Sequence, residues 1–97
     1  MMNILILTDN EQGWIARLQR SFAIDCIVTK RRDTTIITSG MFKVEIRDRF
    51  PEASKGKCFS CAILDKYIDR QTEDSLIRPC VKTFLQKTQD YFKNRTE

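Results

Sequence analysis

Asn3-Ile4-Leu5-Ile6-Leu7-Thr8 decides the fold class of this 97-residue chain. Its aliphatic side chains run unbroken between polar residues and offer no wet side, so the segment reads as a strand buried on both faces of a sheet. Asp9 follows at once, with Gln12 three positions on. A carboxylate that takes the free amides of a first turn, with Gln reaching back, marks a helix start. Trp14, Ile15, Leu18 and Phe22 then recur at helical spacing, with Arg17, Gln19 and Arg20 on the other side. A central strand leading directly into an amphipathic helix opens an α/β domain.

The return strand is Asp25-Cys26-Ile27-Val28-Thr29-Lys30, and a strand-helix-strand crossover sets it parallel to the first. A charged turn, Lys30-Arg31-Arg32-Asp33, leads to Thr34-Thr35-Ile36-Ile37-Thr38. This run and Phe42-Lys43-Val44-Glu45-Ile46-Arg47 flank Ser39-Gly40-Met41, where Gly40 supplies the positive φ of a tight hairpin. Phe42, Val44 and Ile46 alternate with Lys43, Glu45 and Arg47, which predicts one apolar and one wet face. Residues 50–57 read as a loop, and Cys58 to Asp65 as a further strand ending in an acid.

In the tail, Leu76, Ile77, Cys80, Val81, Phe84, Leu85, Thr88 and Phe92 form one stripe at spacings of three and four, which predicts a helix with Thr72 capping its start. Pro79 divides it into a short turn over 73–78 and a main helix over 79–94. The whole predicts an α/β fold, with α+β as the alternative class, in the order β-α-β-β-β-β-α. The expected architecture is a two-layer sandwich: a mixed five-stranded sheet with two helices on one face and the basic face open. With no repeat, low-complexity tract or long linker, residues 1–97 are expected to form a single domain.

Composition narrows the function classes. Hydrophobic residues make up 41% and charged residues 31%, with a net charge of +4 spread over both halves. That describes a folding domain with a mildly basic surface and no basic tail. The amino terminus carries no basic leader or cleavage site, and its apolar run is too short to span a bilayer. The expected location is cytoplasmic, in a cell or an infected host, without membrane association. Cys26, Cys58, Cys61 and Cys80 are then expected as free thiols.

Histidine is absent, which removes the commonest general base and metal ligand together. Cys58-Phe59-Ser60-Cys61 has the spacing of zinc and redox sites, but residues three apart on a strand point to opposite faces, and Cys26 and Cys80 form no second close pair. Asp9 and Asp65 end two strands where α/β sheets place ligands, and two acids there suit Mg²⁺, as in receiver-like or nuclease-like sites. The simpler expectation is a helix cap at Asp9 and a solvated strand end at Asp65. No catalytic residue, metal or cofactor is therefore assigned.

Ser54-Lys55-Gly56-Lys57-Cys58-Phe59-Ser60-Cys61-Ala62-Ile63-Leu64-Asp65 resembles the second nucleotide motif, the Walker-B half, of phage terminase-type P-loop ATPases. There a hairpin, a basic-Gly loop and an aliphatic run ending in Asp precede a helix. The likeness extends loosely over residues 34–85 and implies a shared α/β topology. Lys66 stands where the family's catalytic Glu would follow Asp65, and Thr8-Asp9-Asn10-Glu11 replaces the Gly-rich phosphate loop after the first strand. The resemblance thus implies a degenerate ATPase-like domain as one alternative, beside a degenerate metal-dependent hydrolase built on Asp9 and Asp65.

Lys30, Arg31, Arg32, Lys43, Arg47, Arg49, Lys55 and Lys57 are the candidate binding residues, expected along one side of the sheet on the wet face of the hairpin. Asp33, Glu45, Asp48 and Glu52 interrupt them, and no aromatic interleaves with them to stack on bases. The expected function is a small non-enzymatic binding or regulatory protein, of phage or mobile-element type, that docks on a larger protein. Nucleic-acid binding through the basic hairpin face is the alternative, and the hairpin's edge strand offers a route to a homodimer.

Overall fold

The computed structural model describes residues 2–22, 26–50 and 58–87. Among these residues six strands form one mixed sheet: β1 (Met2–Thr8), β2 (Ile27–Lys30), β3 (Thr35–Ser39), β4 (Phe42–Arg47), β5 (Phe59–Asp65) and β6 (Val81–Lys87). Their order across the sheet is β2-β3-β4-β1-β5-β6. β1 lies parallel to both β4 and β5, and β5 is parallel to β6; the pairs β2-β3 and β3-β4 are antiparallel. The α/β class therefore holds, with six strands where five were expected. The expected parallel direction of β2 also holds, but through two antiparallel steps, because the β3-β4 hairpin lies between it and β1.

The unbroken aliphatic run of β1 does what its pattern requires. Leu5 and Leu7 are buried in a core with Phe59, Leu64, Ile77 and Cys80. Ile6, which points to the opposite face, is buried with Ile37, Val44 and Ile46 against Trp14, Ile15 and Leu18 of α1 (Glu11–Phe22). Each such aliphatic side chain contributes about 1.5–3 kcal/mol on full burial. The helical segments thus cover opposite faces of the sheet, α1 on one and residues 70–80 on the other. Both had been expected on one face.

The helix α1 starts one residue later than its reading. Asn10, not Asp9, is the cap, its Oδ1 accepting the Gly13 amide at 3.1 Å. Glycine fits at this third position because a Cβ there would lie 2.4 Å from the Asn10 side-chain nitrogen. Gly40 turns the β3-β4 hairpin at φ 56, as its position requires.

The tail departs most from expectation. Helical structure spans α2 (Arg70–Thr72), a π-turn (Glu73–Ile77) and a 3-10 turn (Arg78–Cys80), and Val81–Lys87 is a strand where a helix over 79–94 was expected. Residues 88–94 of that expected helix lie outside the described residues. Asp69, not Thr72, caps the segment, its carboxylate accepting from the Thr72 amide at 2.9 Å and the Thr72 hydroxyl at 2.7 Å. Leu76, Ile77 and Cys80 use the helical spacing to reach the core. Pro79 sits in the first positions of the 3-10 turn, and the chain beyond it pairs with the edge of β5, whose backbone groups need partners.

Candidate functional site

The carboxyl ends of β4, β1 and β5 lie side by side in the sheet. From β1 the chain crosses over α1 toward β2, and from β5 it crosses on the other face to β6, so the switch point falls between β1 and β5. Asp65 at the end of β5 lies there, but its Oδ2 accepts the Thr8 hydroxyl at 2.9 Å and the Trp14 indole N–H at 2.8 Å. Thr8 Oγ1 in turn accepts the Asn10 amide at 3.0 Å. Asp9 is not a free cap: the Lys66 ammonium pairs with its Oδ1 at 2.8 Å and also donates to the Asp48 carbonyl. Close by, the Thr35 hydroxyl donates to Glu11.

These contacts join the ends of three strands and the first turns of α1 into a clasp. Both acids read as candidate Mg²⁺ ligands are engaged by side chains of the protein itself, and among the described residues no three His, Cys, Asp or Glu gather as a metal site. Charge-assisted hydrogen bonds of the clasp link β1, β5 and α1. Thr8, Trp14 and Lys66 were missed as members of it, because their partners are 57, 51 and 57 residues away along the chain.

The candidate cations divide. Lys30, Arg31 and Arg32 are exposed together at the end of β2 and in the turn after it, and Arg49 is exposed just beyond β4. Lys43 is half-buried and lines an open depression of about 240 Å³ with Asn3, Glu45, Cys58 and Phe59. The Arg47 side chain is only 9% exposed, its Nε 3.4 Å from an equally buried Glu45 carboxylate. Lys55 and Lys57 lie outside the described residues. The single wet strip is thus corrected. In the parallel register Glu45 stands beside Leu5 and Arg47 beside Leu7, so the polar side of β4 shares the face that carries one of the two cores.

At the sheet's margin β2 is exposed at every residue, with Ile27 66% and Val28 37% accessible. The Arg31 amide donates to the Thr34 carbonyl at 2.7 Å, and the register pairs Thr29 with Ile36 and Ile27 with Thr38. Antiparallel ladders alternate, so the amide and carbonyl of Val28 and of Lys30 point away from β3, to the open side. Sequence reading named the three cations but not this ladder of outward backbone groups, which follows from strand order alone.

The cysteines are free thiols: Cys58 is exposed ahead of β5, Cys61 and Cys80 are buried, and Cys26 is half-buried. Burial pushes the Cys61 thiol up from its ordinary value, which favours the unreactive protonated form. Compared with known protein families, with curated proteins and with solved structures, the chain matches none.

Proposed function

We propose that this chain is a small non-enzymatic binding protein that docks on a larger protein through strand β2 and the turn that follows it. The observation that carries the reading is the coincidence, at one corner, of an edge strand exposed on both faces and three exposed cations, Lys30, Arg31 and Arg32. A short edge strand that ends in Lys30 discourages pairing with like strands, and it leaves the open edge a template for a chain of complementary charge. The strand-end crevice supports the same reading from the other side, since Asp65 Oδ2 and Asp9 Oδ1 already hold partners within the chain. The likeness to terminase-type ATPases enters as scaffold only: Asp65 fastens Thr8 and Trp14, and Lys66 binds Asp9.

The test is affinity capture from the native host with three proteins side by side: the wild-type chain, the K30A/R31A/R32A variant and a Tyr67→Ala control at an exposed site elsewhere. A protein retained by wild type and control but lost by the triple variant supports docking at β2. The same cations favour nucleic acid as the second reading. Retention on a phosphate-rich column that collapses between about 50 and 200 mM salt, with no protein captured, selects that reading instead.

A further inference from the structure

We infer that the segment this edge accepts is an extended acidic strand of the partner, antiparallel to β2, with carboxylates beside Lys30, Arg31 and Arg32 and β-branched side chains beside Ile27 and Val28. The inference rests on the docking reading above and names the chemistry of the partner. Its first support is the outward ladder. The N–H and C=O groups of Val28 and Lys30 can take two further pairs of backbone hydrogen bonds, which only another extended chain supplies in register. Its second support is the gradient of side chains along the edge, from apolar Ile27 and Val28 to cationic Lys30, Arg31 and Arg32. An antiparallel guest that complements it reads acidic first and β-branched after.

A second copy of the chain is the poorer guest. Pairing β2 with its twin brings both basic turns onto one ribbon, in a protein that already carries +4. Nucleic acid would answer the cations but leave the backbone ladder and the exposed Ile27 unused.

The experiment uses the whole chain and a synthetic probe, acetyl-Glu-Asp-Glu-Thr-Val-Thr-Val-amide, followed by amide hydrogen exchange and chemical-shift mapping. With the probe at about ten times its Kd, exchange at the Val28 and Lys30 amides is expected to slow about tenfold. The K30A/R31A/R32A variant is expected to bind about tenfold more weakly. Val28→Pro is expected to abolish binding. It removes an outward amide and no β3 bond, so the variant should remain folded on an edge strand. A probe with Lys in place of the acids should give no protection.

Several results overturn the inference: no protection at Val28 and Lys30, equal binding of the Lys probe, or protection that is present without probe and vanishes on dilution. Displacement of the acidic probe by a single-stranded oligonucleotide that binds more tightly overturns it too. If the triple variant loses its captured protein while the probe protects nothing, the acidic-strand inference falls and the docking surface stands. If capture survives the triple variant while the probe protects both amides, the docking reading falls and the edge's choice of acidic strands stands.

Discussion

Ile6-Leu7 in β1 and Ile27-Val28 in β2 are chemically almost the same pair, yet the first is 1% and 0% exposed and the second 66% and 37%. The difference is their place in the sheet. β1 has a strand on either side and a helical segment against each face, whereas β2 has one neighbour among the described strands, β3. The basic residues repeat the contrast: Arg47 on inner strand β4 is enclosed with Glu45, and Arg31 in the edge turn stands in water. Apolar or charged character does not by itself tell core from docking surface; strand order does.

The contrast breaks first on a core substitution. Leu7→Ala is expected to cost about 2–5 kcal/mol of stability in urea unfolding, since a fully buried side chain leaves a cavity. Ile27→Ala at the edge is expected to change stability by no more than about 0.5 kcal/mol. Equal costs at the two sites would mean that β2 is covered in solution.

A smaller effect tests the clasp. Asp65→Ala strands the Thr8 hydroxyl and the Trp14 indole, and is expected to cost about 1–3 kcal/mol with a change in Trp14 fluorescence. A neutral result would return Asp65 to the list of groups free for ligand.

Smaller still in stability, and larger in function, is the K30A/R31A/R32A variant. Its urea midpoint should stay within the equivalent of about 0.5 kcal/mol of wild type while partner binding is lost. A large loss of stability would make the triplet structural.

The smallest expected effect lies at the helical segment over 70–80. The Thr72 hydroxyl and amide hold the Asp69 carboxyl below its ordinary range. A carboxyl whose pKa is lower folded than unfolded stabilises the fold above the unfolded value, and that contribution is lost as pH falls through the folded one. Acid should therefore loosen the first turn of α2 in wild type, seen as faster exchange of the Thr72 amide, and Asp69→Asn should flatten that pH dependence.

How much was legible in the residues varies along the chain. The β1 run, the α1 stripe of Trp14, Ile15 and Leu18, and the Gly40 hairpin were readable because each is a local pattern with one periodicity. The tail was not: Leu76, Ile77, Cys80, Val81 and Phe84 keep helical spacing across a boundary where the chain turns from helix to strand. Two of the eight candidate cations, half-buried Lys43 and enclosed Arg47, depart from the expected wet face, because alternation shows which residues share a face and not what lies over it.

The sequence by itself determined the α/β class, the buried central strand and the cationic triplet, because local spacing and side-chain type dictate these. The tertiary structure alone decided that Val81–Lys87 extends the sheet, that Glu45 and Arg47 are enclosed, and that Asp65 is bound to Thr8 and Trp14. It also decided that Ile27–Lys30 is the edge. Each of these depends on which elements come to lie side by side, which the order of strands decides and no local pattern records.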